Sequence, residues 1–237
     1  MAEEMGIIHP LTAWVLDNAL GQLRKWLAVG LDVSISVNVS PRCIEDHTLE
    51  EMVARALETS AVEPHRLTLE ITEGVAMAAA AAKSLSRLSE MGVRLALDDF
   101  GTGYSSLLYL MRLPVNEIKI DRSFVSGLAT DPDSGAIVRS AVGLGHNLGL
   151  RVVAEGLQDR GAEAILLEAG CDGAQGFLIG RPMDESEVTS LLLERFHIGN
   201  RLDGADGAPG RPAADASGDL ASTAEQEIGR ASCRERV

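Results

Sequence analysis

The chain has 237 residues, of which 46% are apolar and only 3% aromatic, enough for one large domain with a core of Leu, Val, Ile and Ala. Its formal charge of −14 argues against nucleic-acid polymers and anionic membrane surfaces as partners, since both need a basic face. No run approaches the roughly 20 apolar residues of a membrane span, the first residues carry no leader pattern, and Cys43, Cys171 and Cys233 are too scattered for a disulfide framework, so a reducing, cytoplasmic location is expected.

Leu11, Trp14, Val15, Leu16, Leu20, Leu23 and Leu27 recur at helical spacing and predict a helix over 10–29. Strict alternation over 33–39 predicts a strand, followed by a helix over 46–59 and a strand over 66–72. Next come a helix over 75–91, a strand over 93–98, a glycine-rich loop and a strand over 115–120. The series closes with a helix over 134–148, a strand over 151–154, a helix over 160–168, a short strand over 173–177 and a helix over 185–196. Strands alternating with helices in this way predict a parallel α/β sheet with helical crossovers.

Polar residues gather where these strands end: Asn38, Glu70, Asp98, Asp99, Lys119, Asp121, Glu155 and Gln175. In a (β/α) barrel of TIM type those ends form one face, which holds the active site. An open doubly wound sheet is the alternative, but it would collect such residues on fewer strands, so the barrel is favoured. From Gly199 the periodicity stops. Residues 199–226 are rich in Gly, Ala, Asp and Pro and predict a disordered tail or linker. Residues 227–237 look like translated sequencing-adapter DNA and are set apart from the fold at 1–198.

Asp98-Asp99-Phe100-Gly101-Thr102-Gly103 carries the sharpest chemical signal. Neighbouring strand residues point to opposite faces, so two carboxylates serve one site only if the chain leaves the strand between them, as Gly101 and Gly103 permit. Adjacent carboxylates repel unless cations hold them, which suits a divalent-metal site; an N-cap for a helix over 105–110 is the bland alternative. Glu70 lies within a half-buried run, where an acid needs a metal or an ion pair. Glu73 follows it and could merely begin the next helix. Asn38 offers a neutral oxygen ligand or a turn before Pro41, and Asp121 is equally a helix cap. Lys119, flanked by Ile118 and Ile120, is hard to explain as a surface charge.

Taken together, Ser36–Ser40, Glu70-Ile-Thr-Glu73, Asp98–Ser106, Ile118-Lys-Ile-Asp121, Ala154-Glu-Gly156 and Gln175-Gly-Phe177 resemble the EAL phosphodiesterase family in order and spacing. The resemblance runs from Met1 to about Ile198 and implies a (β/α)8 barrel that hydrolyses cyclic di-GMP to a linear dinucleotide with two Mg²⁺ or Mn²⁺ ions. It implies that Asn38, Glu70 and Asp98, together with the Glu of the triplet that names the family, hold the first metal, with Asp98 bridging to a second that Asp99 helps hold. Glu155 matches the general base and Lys119 the residue that positions the attacking water. Glu73 matches a loop anchor, while Asp121 and Gln175 fall in substrate-binding motifs and Phe177 is expected only to pack nearby. The resemblance also implies homodimerisation near 99–106 and the following Leu107, Leu108 and Leu110, residues that equally suit the barrel's core, which is favoured for Leu107 and Leu110. It implies further domains in a parent protein, and a silent cyclic di-GMP sensor is the alternative. Two departures stand out. Gln158 occupies a position that usually carries an acid. The triplet naming the family is absent, with Met1 matching a point just downstream of it; about six of eight strands are therefore expected here, in a chain of impaired activity.

Overall fold

The structure, a computed structural model, describes residues 2–76, 81–103 and 107–203. In chain order its elements are helix α1 (Ile8–Ala28), strand β1 (Ile35–Asn38), helices α2 (Pro41–Glu45) and α3 (Leu49–Ser60), a 3-10 turn at Pro64–Arg66 and strand β2 (Leu67–Thr72). Helices α4 (Glu73–Ala76) and α5 (Ala81–Glu90), strand β3 (Arg94–Phe100), helix α6 (Leu107–Leu110), strand β4 (Glu117–Ile120) and helices α7 (Arg122–Val125) and α8 (Pro132–Asn147) follow. Strand β5 (Arg151–Glu155), helix α9 (Arg160–Glu168), strand β6 (Gly173–Gln175) and helix α10 (Glu185–Asp203) complete the described order.

Every strand pair is parallel, and the sheet order is β1-β2-β3-β4-β5-β6 without reversal. A doubly wound sheet reverses its order at a switch point; continuous one-way order is how a (β/α) barrel is wound. The sheet is also curled. Glu70 on β2 and Glu155 on β5 both reach the Nζ of Lys119 on β4, at 2.7 and 2.6 Å. In a flat sheet β2 and β5 would stand three spacings apart, roughly 14 Å, so inward-leaning side chains and strand curvature together close that distance. The result is a six-stranded half-barrel with helices packed outside it.

The strand sequences explain this burial. Strand β4 is buried at all its positions, and β2 at all but Thr72, as strands covered on both faces must be. On β4 the outward Ile118 meets α8, while Lys119 takes the opposite, inner side. Helix α8 lies almost on the sheet, since a Cβ on Gly145 would come within 2.4 Å of Val152 Cγ2 and 3.0 Å of Ile118 Cδ1. Gly145→Ala is therefore expected to destabilise the fold by about 1–3 kcal/mol through overpacking, despite its better helix propensity; urea unfolding measures this. Asp131 starts α8 by accepting from the N–H groups of Asp133 and Ser134, and Asp159 starts α9 by accepting from that of Ala162.

Several elements differ from the sequence pattern, α2, α7 and α10 among them. Helix α2 was not anticipated; Ser40 caps it, accepting from Arg42 N, and Pro41 fills its first turn. Helix α10 continues to Asp203 rather than ending at 196. The rest of the expected tail, 204–226, and the adapter-like 227–237 lie outside the described residues. Among the described residues no helix is long and apolar enough to cross a membrane.

Candidate metal centre at the strand ends

Parallel strands deliver all their C-terminal ends to one side, and four of those ends converge on one point. Lys119 Nζ lies 2.7 Å from Glu70 Oε2, 2.6 Å from Glu155 Oε1 and 3.6 Å from Asp98 Oδ1. All four residues are buried. Among the described residues, Glu70, Asp98 and Glu155 form the one acidic group whose oxygens lie within 4.8 Å of one another. Burial alone would lower the pKa of Lys119, yet Glu70, Asp98 and Glu155 outweigh that effect and hold it above the ordinary lysine value.

Asp98 and Asp99 reach the same side by a bulge. Strand β3 pairs Ala96 with Glu117 and Leu97 with Ile118, then shifts register before Phe100 meets Ile120. Asp98 and Asp99 of β3 thus oppose the single Lys119 of β4, and Asp99 takes the left-handed conformation with φ 56°. Sequence reasoning assigned this job to a glycine turn after the strand, whereas the strand runs through both acids. Burial, followed by the charges of Asp98, Asp121 and Glu155 and a hydrogen bond with Asp121, pushes the Asp99 carboxyl above its usual range. Both aspartates lie within β3.

Glu73 begins α4 and is buried. Its Oε2 accepts hydrogen bonds from the N–H groups of Gly101 and Gly103, at 3.1 and 3.3 Å. A Cβ on Gly103 would sit 2.8 Å from Glu73 Oε1, so a side chain there would push the carboxylate aside. Asp121 caps α7, accepting from Ser123 N at 3.0 Å. Although burial works against it, hydrogen bonds from Ser123 and Arg122 hold its carboxyl below the usual range. Asn38 ends β1 level with Glu70 and is exposed, while Gln175 ends β6 level with Glu155 and is half-buried. These two occupy the edge strands, on either side of the acids.

Phe177 does not simply pack away. It is 55% exposed, with the Arg181 guanidinium 4.9 Å above its ring. Nothing in the sequence pattern signalled that stacking. Leu110 belongs to the core and Leu108 is exposed, while the Leu107 side chain and residues 104–106 lie outside the described residues. Two open grooves, of about 660 and 380 Å³, are lined by residues of the α10 region and by α1 with α3, and neither touches the acids.

The opposite ends of the strands carry charge differently. There Glu117 pairs with Arg151 at 3.2 Å, and Asp172 accepts from Val152 N at 2.7 Å beside His146 at 2.9 Å. At the C-terminal ends three acids share one ammonium. An all-oxygen donor set suits a hard divalent cation. Around Mg²⁺ opposite ligands stand about 4.2 Å apart and adjacent ones about 3.0 Å, so three oxygens within 4.8 Å of one another can close on one ion by turning their side chains inward. The residues fit such an ion.

The sequence pattern of the EAL domain matches residues 1–182. Over 195 residues the chain is 47% identical to the bifunctional diguanylate cyclase/cyclic di-GMP phosphodiesterase MucR of Pseudomonas aeruginosa, covering 81% of this chain and 28% of that protein. The cyclic di-GMP phosphodiesterase PdeR of Escherichia coli is 36% identical over 198 residues, covering 83% of this chain and 29% of that protein. Among solved structures, PaMucR phosphodiesterase in its c-di-GMP complex superposes with a TM-score of 0.75 at 46% identity, over 79% of this chain and 77% of that one. The chain spans less than a third of the length of these two curated relatives.

Proposed function

The chain belongs to the EAL domain family, and on that premise we propose that it hydrolyses cyclic di-GMP to the linear dinucleotide pGpG in the cytoplasm. The observation that carries this reading is the convergence of Glu70, Asp98 and Glu155 on Lys119 at the C-terminal strand ends. Asn38, Glu70 and Asp98 would hold one divalent cation, Mg²⁺ or Mn²⁺, and Asp98 with Asp99 a second. When bound, such ions neutralise a phosphodiester, acidify the attacking water and stabilise the leaving oxygen.

The remaining work falls to the chain's own side chains. Glu155 takes the proton from water as the new oxygen–phosphorus bond forms and one ester bond of the ring opens. Lys119, held 2.6 Å from Glu155, pairs with that carboxylate and aims a donor at the water. Glu73 fixes the Gly101–Gly103 segment through two backbone hydrogen bonds and so steadies Asp99. Asp121 and Gln175 contact the dinucleotide on either side of Glu155.

The test is direct. Purified protein incubated with cyclic di-GMP and Mn²⁺ is expected to yield linear product by chromatography, and none after chelation. Gln158, exposed where the family usually has an acid, favours a second reading as a sensor. Tight binding without product would decide for the sensor, and absence of both binding and product would overturn the assignment.

The exposed Leu108 of α6, near this loop, belongs to a homodimer contact in the same reading. Sedimentation is expected to show a dimer that Leu108→Glu dissociates; a wild-type monomer at high concentration removes that part.

A further inference from the structure

We infer that Lys119 is the built-in counter-cation of the metal-free site, holding the place among the acids that a divalent ion must take from it. This rests on the metal reading above. Lys119 is 2% exposed, and its Nζ lies 2.7 Å from Glu70 Oε2, 2.6 Å from Glu155 Oε1 and 3.6 Å from Asp98 Oδ1. Those three acids are the ones whose oxygens lie within 4.8 Å of one another. Glu70 and Asp98 are two of the residues proposed to hold the first ion, so an ion bound to them at about 2.1 Å and the ammonium at 2.7 and 3.6 Å compete for the same carboxylates. These cannot serve two cations at once. Repulsion between them at such a separation is strong in a buried site, and the same lone pairs would have to serve both.

The way out is also visible. Lys119 Nζ also lies 2.6 Å from Glu155 Oε1, and Glu155 is not among the residues proposed to hold an ion. An ion drawing Glu70 and Asp98 together leaves the ammonium on Glu155 alone. Loading the site thus converts Lys119 from a bridge across β2, β3 and β5 into the dedicated partner of Glu155. In the metal-free protein it keeps three buried carboxylates from repelling one another. In the loaded protein that task passes to the metal, and binding is weakened by the displacement.

Lys119→Met keeps the apolar stem and removes the charge. Removing one partner from a buried ion cluster is strongly destabilising, and for a domain of this size the metal-free variant is expected to melt roughly 6–12 °C below wild type. Saturating Mn²⁺ should restore most of that loss, giving a shift at least about twice the wild-type shift. Calorimetric titration should show Mn²⁺ binding to the variant at least as tight as to wild type. Lys119→Met/Glu155→Gln has one carboxylate fewer and should melt between the two. If Lys119→Met does not fold, the double variant against Glu155→Gln makes the same comparison, again with the larger Mn²⁺ shift in the chain lacking Lys119. Equal melting of the metal-free proteins, or equal Mn²⁺ shifts, overturns the inference. If Mn²⁺ and Mg²⁺ leave the wild-type melt unmoved, the metal reading fails and displacement with it. The loss in metal-free Lys119→Met still decides the counter-cation role.

Discussion

Asp98→Asn is expected to lower cyclic di-GMP turnover by on the order of a thousand-fold or more, with the fold retained. Asp98 lies in the bulge, beside both Asp99 and the Glu70–Glu155 pair, and is the acid proposed to serve both ions. An amide of the same shape keeps the packing and removes the charge. Stability should hold, because Asp98 is the most distant of the three acids from Lys119, at 3.6 Å, while the contacts at 2.7 and 2.6 Å remain. Circular dichroism checks the fold, and product formation under saturating Mn²⁺ checks the chemistry. Glu155→Gln should behave differently. A general base acts in the chemical step, so kcat should fall by roughly 10²–10⁴-fold with KM little changed. Wild-type turnover in either variant would contradict the assigned role.

These residues were legible in the sequence because parallel strands make strand ends conspicuous. A polar residue closing an apolar run, as in Ile118-Lys119-Ile120-Asp121 or Ala154-Glu155, has little to do in a core except serve a site. Sheet order was legible for the same reason, since regular βα alternation leaves few ways to wind a chain. Local backbone decisions were hidden. The bulge at Asp99 rests on a left-handed residue inside a strand, and the glycines that follow drew attention to the wrong place. Helix α2 spans five residues, too few for a periodic signal, although Ser40-Pro41 was a fair starting mark. Side-chain geometry was beyond pattern altogether: nothing in the order of residues states that Lys119 bridges three strands. Several alternatives dissolved because one residue does two jobs. Glu73 both opens a helix and accepts from a loop, and Asp121 both caps α7 and neighbours Asp99.

Glu73 gives the second large expected effect, since it supports the site from outside the acid cluster. Its carboxylate is buried, and a single oxygen receives the N–H groups of Gly101 and Gly103. Hydrogen bonds to a charged acceptor contribute about 1.5–3 kcal/mol each. Glu73→Ala is therefore expected to destabilise the fold by about 3 kcal/mol. It should also free the backbone one residue beyond Phe100, where β3 ends after its bulge. Asp99 is already disfavoured as a charged group by burial and by Asp98, so it depends on that backbone to stay aimed at the site. Turnover should fall by about a hundred-fold, in keeping with loss of a residue that orients metal ligands. The Mn²⁺ concentration giving half-maximal rate should rise in parallel. Glu73→Gln separates the two contributions: its amide oxygen accepts the same pair of N–H groups without the charge, so most activity and about half the stability should return. If Glu73→Ala loses stability yet keeps the wild-type Mn²⁺ dependence, the residue holds the fold alone. A parallel loss of metal response and rate, rescued by Gln, identifies the loop as part of the metal centre.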